Sequence, residues 1–171
     1  MLLPFAIMAV VLLLDQGTKY LVETRIPLYG VWAPIPALEG LFRVVHTANS
    51  GAVFGLFQGT GMFFAGLAVV VALAIAYFNL TLPGKQWAIR VALGLQLGGA
   101  LGNLIDRLRQ GHVTDFIDTG PWYIWNLADL AIVSGVILFA VAYWREVRRE
   151  EEAKRAANPP ANEHAPAADD L

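Results

Sequence analysis

Two aspartates, Asp115 and Asp129, flank a short stretch that leads into the last long apolar segment of the chain. A charged side chain costs about 2.5–3.5 kcal/mol at the centre of a membrane helix, so acids beside such a segment are candidates for function. Two carboxyl groups that meet at a membrane–water boundary can share one proton and activate a water molecule. The sequence therefore predicts proton-transfer chemistry at this pair.

A third acid, Asp118, competes with Asp115 on spacing alone. Apolar Val113 and Phe116 flank Asp115 and would hold it against the bilayer surface, where burial raises the pKa of a carboxyl group. Asp118 instead precedes the Thr-Gly-Pro sequence at 119–121, which is typical of a solvent-exposed turn. We therefore rank Asp115 above Asp118.

A structural role is the main alternative for Asp129. Asn126 is a favourable N-cap residue, and Asp129 lies three residues later, as in a capping box. An acid in the first turn of a helix also interacts favourably with the helix dipole. The same cap would fix the Asp129 carboxylate at the mouth of a helical bundle. The structural and the functional interpretation therefore predict the same position for this carboxylate.

Two further polar groups interrupt apolar segments. Asp15 and Lys19 lie four residues apart on one helix face, either as an ion pair that eases membrane insertion or with Asp15 facing the bundle interior. Asn103, Asp106 and Arg107 also share a face. They either end a helix in water or provide the partners that Asn103 needs inside an apolar stretch.

The elements that must position these residues are membrane helices. The chain is 57% hydrophobic, above the approximately 45–50% of soluble domains. A helix needs about 20 apolar residues to cross the hydrocarbon core. Four segments meet this length, so we expect a mainly α membrane protein with spans near residues 2–22, 61–77, 87–105 and 127–144. The first is expected to be a retained helix, since it lacks the basic start and small-residue exit of a signal peptide.

The basic residues predict the orientation. Lys85 lies between the second and third spans, Arg90 lies at the start of the third, and five of the 12 Lys and Arg residues follow the last span. Positive charge favours the cytoplasmic side. We therefore expect both termini in the cytoplasm, with loops 23–60 and 106–126 on the outer face.

The segments outside the spans are expected to differ in order. Residues 41–46 are rich in strand formers, so residues 23–60 predict a small antiparallel sheet at the outer interface, although an irregular loop fits the local pattern equally well. The Ala-Asn-Ser-Gly sequence at 48–51 predicts a turn. We divide the chain into a membrane domain, 1–144, and a cytoplasmic tail, 145–171, which begins as a charged helix and becomes disordered after about residue 156.

Several classes of function are excluded or disfavoured. The chain has no cysteine, and its three histidines lack metal-ligand spacing, so we expect no metal and no cofactor. A net charge of −2 without a basic stripe predicts no nucleic-acid partner. A proton-coupled transporter or a membrane scaffold could also use intramembrane polar groups. The acids cluster toward one membrane face, with none in the second span, which argues against a transporter.

In their order along the chain, these polar groups resemble the motifs of the lipoprotein signal peptidase (signal peptidase II) family. The likeness covers roughly residues 10–140. The last of the motifs named below begins with Trp125, where the family more often has Phe. The motifs are Asp-Gln-Gly-Thr-Lys at 15–19, Asn-Ser-Gly-Ala-Val-Phe at 49–54, the glycine-rich sequence ending Asn-Leu-Ile-Asp-Arg at 98–107, Gly-His-Val-Thr-Asp-Phe at 111–116 and Trp-Asn-Leu-Ala-Asp at 125–129.

This resemblance implies an aspartic endopeptidase of the bacterial cytoplasmic (inner) membrane that cuts diacylglyceryl-modified prolipoproteins before the lipidated cysteine. It implies Asp115 and Asp129 as the catalytic pair. The positioning group that we expect around them, from the same motifs, comprises Asn49, Asn103, Arg107, Asn126, Asp15, Lys19 and Asp106. The resemblance also implies an extracytoplasmic sheet with an interfacial segment, and inhibition by the cyclic peptide globomycin. The expected partners are lipidated prolipoproteins and membrane lipid, and we expect a monomer.

Overall fold

The fold is described from a computed structural model for residues 2–50, 61–81, 86–120 and 123–157. A short 3-10 helix, Pro36–Leu38, lies between the first two strands. The helices are α1 (Leu3–Arg25), α2 (Gly61–Thr81), α3 (Trp87–Gln110) and α4 (Leu127–Ala157), and the strands are β1 (Val31–Trp32), β2 (Arg43–Asn49) and β3 (Val113–Asp118).

The mainly helical, multi-pass membrane fold predicted from the sequence is confirmed. Helices α1, α3 and α4 are long and apolar enough to cross a membrane, and α2 contains the shorter apolar stretch Ala65–Thr81. Helix α4 continues through the charged residues to Ala157. The predicted disorder of the tail concerns residues 158–171, which lie outside the described part of the chain.

Helix α3 is the centre of the bundle. In its most apolar window 67% of the residues are buried, against 17% for α1 and α4. The stripe formed by Gly94, Gly98 and Gly102 explains the close approach of α1, since a Cβ atom at the first two positions would meet Pro4 and Val11. Small residues on one face allow helices to pack tightly in lipid.

The predicted sheet exists, but its third strand was not foreseen. Strands β1, β2 and β3 form an antiparallel sheet in that order. The sequence pattern predicts the sheet within residues 23–60 and no strand at residues 113–118. Residues 113–118 instead pair with β2. The predicted turn at 48–51 is wrong for Ala48 and Asn49, which pair in the sheet with Thr114 and Val113.

An ion pair fixes the far end of β3. Arg43 donates from Nε to Oδ2 of Asp118 at 3.0 Å, and its Nη2 contacts the same oxygen. Asp118 also accepts the Gly120 amide at 2.9 Å, in a turn where Gly120 has a φ of +83°. Asp118 is 4% exposed, so the solvent exposure expected for it is wrong. Its carboxylate instead binds Arg43 of β2 and the Gly120 amide at the end of β3.

Candidate active site

Asp115 occupies the middle of β3, and both of its carboxyl oxygens accept hydrogen bonds. Oδ1 accepts from Asn126 Nδ2 at 2.6 Å. Oδ2 accepts from Asn49 Nδ2 at 2.9 Å and from the Tyr123 hydroxyl at 3.2 Å. The side chain is therefore oriented by β2, by the loop before α4 and by the N-cap residue of α4. Asp115 is 2% exposed.

Asp129 lies in the first turn of α4, where its environment is set by two asparagines. The predicted cap is confirmed, because Asn126 Oδ1 accepts the Asp129 backbone N–H at 3.0 Å. The carboxylate does not return this bond as in a capping box. Its Oδ1 accepts from Asn103 Nδ2 of α3 at 2.8 Å. The helix start therefore leaves the acid directed toward a neighbouring helix.

The amide groups of Asn126 and Asn103 connect the two acids. Asn126 Nδ2 donates to Asp115 and lies 3.3 Å from Asn103 Oδ1, while Asn103 Nδ2 donates to Asp129. Burial, with the nearby Asp129, raises the pKa of Asp115 to about 6, against the lowering effect of the hydrogen bonds from Asn49 and Asn126. Asp115 can therefore exchange a proton near neutral pH.

A buried ionic cluster supports this arrangement. Lys19 Nζ lies 2.9 Å from Asp15 Oδ2 and 2.8 Å from Asp106 Oδ2, and it donates to Asn103 Oδ1 at 2.9 Å. Lys19, Asp15 and Asp106 are fully buried. The predicted pair within α1 is present, and it extends across to α3. Buried charges need this kind of compensation, because each loses its hydration.

Each carboxylate of this cluster also holds backbone next to one of the two acids. Asp15 Oδ1 accepts the N–H of Ala128 at 2.9 Å, one residue before Asp129. Asp106 Oδ2 accepts the N–H of Thr114 at 3.2 Å, one residue before Asp115. The cluster thus fixes the start of α4 and the middle of β3 relative to one another.

Arg107 adds positive charge on the face of α3 that carries Asn103. Its Nη1 donates to the backbone oxygen of Asn103 at 3.3 Å, and its side chain lines a cavity with Asp115 and Asp129. A guanidinium beside two carboxyl groups favours at least one of them being ionised. The structure therefore brings the predicted site residues to this cavity or to the cluster behind it, with Asn126 between the two acids.

The cavity itself has a volume of about 710 Å³. Polar side chains converge at one part of its wall, including Asn49, Arg107 and Tyr123. Most of the remaining wall is apolar and comes from α2, α3 and α4, with Leu67, Val71, Ala100, Leu130, Ile132 and Val133. Val113 of β3 and Trp125 complete it. Among the residues that the structure describes, no His, Cys, Asp or Glu cluster has the geometry of a metal site.

Sequence reasoning missed Tyr123. Its hydroxyl accepts a short hydrogen bond from Asn49 and donates to Asp115. Burial and the charge of Asp115 raise the pKa of Tyr123, so its phenol stays protonated as a donor. A polar-tipped aromatic residue in the loop between two candidate acids was the available signal.

Sequence reasoning also missed a polar clamp beside Asp115. The Thr114 hydroxyl donates to Glu23 Oε1 at 2.7 Å and accepts from Gln110 Nε2 at 2.9 Å. Arg109 binds both oxygens of Glu23 at 2.7 and 2.8 Å. Because these residues come from α1, α3 and β3, no local pattern connects them.

Comparison with known proteins identifies this arrangement. The signal peptidase II family model matches residues 7–145. The chain belongs to the signal peptidase II family. The match contains all of the candidate site residues and ends where the charged extension of α4 begins.

Curated relatives of this signal peptidase II family member carry the name lipoprotein signal peptidase. The protein from Moorella thermoacetica is 42% identical over 137 residues, which cover 80% of this chain and 89% of the relative. The protein from Nitratidesulfovibrio vulgaris is 41% identical over 146 residues, which cover 81% and 87%. Membership makes the chain a membrane peptidase.

Two solved structures, both described as bacterial membrane enzymes studied by the in meso method, have the same fold. One, at 2.3 Å resolution, superposes with a TM-score of 0.76 at 31% identity and covers 95% of this chain and 94% of its own. The other, at 1.9 Å resolution, has a TM-score of 0.73 at 33% identity and covers 82% and 91%.

Proposed function

We propose that this protein removes signal peptides from diacylglyceryl-modified prolipoproteins, with Asp115 and Asp129 as the catalytic pair of an aspartic peptidase. The observation that carries the proposal is that one cavity is lined by both acids, which come from β3 and α4. The names of the curated relatives supply the substrate class.

The pair would act by sharing one proton, because two coupled carboxyl groups resist ionising together. The ionised carboxylate accepts a proton from water as the water oxygen attacks the scissile carbonyl carbon. The protonated carboxyl donates to the carbonyl oxygen, which gives a tetrahedral intermediate. Collapse breaks the C–N bond as the carboxyl group that took the water proton donates it to the amine nitrogen. The other carboxylate takes a proton from a hydroxyl of the intermediate, so the pair again holds one shared proton. No covalent intermediate with the enzyme forms.

The surrounding donors would orient the pair and the peptide. Asn126 and Asn49 donate hydrogen bonds to the two different carboxyl oxygens of Asp115. Asn103 donates to one carboxyl oxygen of Asp129. Arg107 and Tyr123 line the cavity and can donate to a peptide carbonyl or to developing negative charge. Asp15, Lys19 and Asp106 act behind them as positioning residues.

The apolar wall suits a substrate that remains in the membrane. Side chains of α2 and α4 line the cavity beside the polar group, so acyl chains and an apolar signal peptide could lie against them while the scissile bond meets the acids. We place cleavage just before the lipid-bearing cysteine, at the extracytoplasmic face of the inner membrane, with both termini cytoplasmic. One chain supplies every group of the site, which is compatible with a monomer.

A cleavage assay with a synthetic diacylglyceryl-modified precursor peptide tests the proposal. The purified chain in detergent should release the signal peptide at the bond before the modified cysteine, and globomycin should block release. The same peptide without the lipid should be cut far more slowly. Cleavage elsewhere in the peptide, or equal rates with and without lipid, would contradict the proposed substrate class.

Matched variants connect the activity to the pair. Asp115→Asn and Asp129→Asn should each lower the rate by about 10³-fold or more, as expected for groups that transfer protons in the transition state. Asp118→Asn changes the same residue type in the same strand, away from the cavity lining. It should retain cleavage in proportion to its folded fraction, measured by thermal unfolding.

A further inference from the structure

A second cavity lies at the opposite end of the helical bundle, between the start of α3 and the later part of α4. Its volume is about 230 Å³. Gln86 and Trp87 contribute from the start of α3, and Arg145, Glu146 and Arg149 contribute from α4. The rest of its wall is apolar, with Ala88, Ile89, Leu138, Val141 and Ala142.

The charge of this cavity favours an anion. Arg145 and Arg149 lie four residues apart and so point to one side of α4. Neither arginine forms a salt bridge within the part of the chain that the structure describes. Glu146 offsets one of the two positive charges. The first turn of α3 contains no acidic residue, and Gln86 forms no side-chain cap. Neither an acid nor a cap therefore offsets the positive end of the α3 dipole.

Gln86 provides an independent indication of a missing partner. Its Oε1 is buried and has no hydrogen-bond partner among the described residues. A buried acceptor without a donor loses its hydration without compensation, so such atoms are rare unless a ligand or water occupies the site. A hydroxyl group on a ligand would satisfy this oxygen, whereas a bare phosphate oxygen would not.

The cavity lies at the level of a membrane surface. Trp87 is 68% exposed, and Arg148 packs over the Trp144 ring with 5.3 Å to its centroid. Such aromatic and basic residues concentrate at membrane–water boundaries. Arg149 is twenty positions beyond Asp129, which corresponds to about 30 Å of helix, the thickness of the hydrocarbon core. The cavity therefore faces the leaflet opposite the two acids.

We infer that this second cavity binds the headgroup of an anionic, hydroxyl-bearing phospholipid, of which phosphatidylglycerol is the simplest. Arg145 and Arg149 contact its phosphodiester, a headgroup hydroxyl donates to Gln86 Oε1, and the acyl chains run along Leu138 and Val141. The site concerns lipid recognition in the leaflet distant from the acids and is independent of the proposed peptidase chemistry.

Lipid titration of the detergent-purified full-length chain by native mass spectrometry tests this inference. We expect one phosphatidylglycerol to bind more tightly than the rest, and phosphatidylcholine to bind much more weakly. The double variant Arg145→Gln/Arg149→Gln should weaken that binding about 30-fold. This factor corresponds to a loss of about 1 kcal/mol of binding free energy for each basic residue removed. The matched control, Arg148→Gln with Arg155→Gln, removes the same charge from α4 outside the cavity and should leave affinity within about 3-fold of the wild type.

Two single variants test the details. Glu146→Gln removes the opposing charge, so phosphatidylglycerol should bind about 5-fold more tightly, a gain that misfolding cannot imitate. Phosphatidylmethanol has the same phosphodiester charge without headgroup hydroxyls. The wild type should prefer phosphatidylglycerol over it by about 5-fold, and Gln86→Leu should abolish that preference.

Four results would overturn the inference or one of its contacts. Equal weakening in both double variants would show a general surface-charge effect, and equal binding of phosphatidylcholine would exclude recognition of an anion. Displacement of the lipid by inorganic phosphate or glycerol 3-phosphate would assign the cavity to a free phosphate compound instead. Equal binding of phosphatidylmethanol and phosphatidylglycerol by the wild type would overturn the proposed contact with Gln86.

Discussion

The side-chain amide of Asn126 donates a 2.6 Å hydrogen bond to Asp115, so the residue that caps α4 also holds the acid in the middle of β3. The oxygen of the same amide accepts the backbone N–H of Asp129 at 3.0 Å. One side chain therefore ties the start of a membrane helix to the strand beside it, and it connects both members of the proposed catalytic pair.

Replacing Asn126 should separate its two tasks. Serine retains N-cap function but cannot reach Asp115 with an amide, so Asn126→Ser should keep stability within about 0.5 kcal/mol while kcat falls about 10–100-fold. Asn126→Ala removes the cap as well and should lose about a further 1 kcal/mol of stability. Thermal unfolding and lipopeptide cleavage measure the two effects. Full activity in the serine variant would show that the contact with Asp115 is unimportant.

Removal of Lys19 should damage the fold more than the chemistry. Lys19→Met leaves Asp15 and Asp106 buried beside each other without their common cation. Breaking a buried ionic group in this way costs about 3–5 kcal/mol, so the unfolding temperature in detergent should fall sharply. Lys154→Met, at an exposed position of α4, is the matched control and should change little. Equal stability of the two variants would contradict the role assigned to the cluster.

The pH dependence of cleavage should report on Asp115. With a pKa of about 6, it should produce an inflection near pH 6 in kcat/KM for the free enzyme. Asn49 stabilises the ionised form by donating to Oδ2, so Asn49→Ala raises the pKa and should move this inflection to higher pH. Thr47→Val removes a bond to the Asp115 backbone oxygen instead and should leave the inflection in place. A shift to lower pH in Asn49→Ala would be the wrong sign.

Thr114 should act as a positioning residue for its neighbour Asp115. Its hydroxyl bonds to Glu23 and Gln110 anchor β3 against α1 and α3. Thr114→Val preserves shape but removes the hydroxyl, and we expect kcat to fall about 10-fold with little change in KM, because substrate contacts are unchanged. Thr114→Ser restores the hydroxyl and should recover the rate. Failure of serine to recover it would indicate a packing effect alone.

The sequence predicted those features whose interacting residues are close to one another along the chain. Long apolar stretches predicted the helices, and the Asn126 cap followed from residue types at fixed spacing. The pairing of Asp15 with Lys19 followed from the helical repeat. In each case, the interacting groups are close along the chain, so that a periodic or capping pattern records their contact.

Contacts between distant segments could not be predicted in this way. Strand β3 joins the sheet because it pairs with β2 and because Arg43 meets Asp118 across 75 residues. Lys19 reaches Asp106 and Asn103 only when α1 packs on α3. Tyr123 contacts Asp115 through a loop with no repeating pattern. Such contacts depend on how the elements assemble, which no short window of sequence encodes.

A double-mutant cycle on Asp115 and Asp129 tests the central claim most directly. Cleavage of the lipidated precursor is measured for Asp115→Asn, for Asp129→Asn and for the double variant, each confirmed as folded by thermal unfolding. If the two acids act as one unit, each single change lowers kcat by about 10³-fold or more, and the double variant is no slower than either single variant. Normal turnover by either single variant, or losses that multiply in the double variant, would contradict a shared catalytic pair.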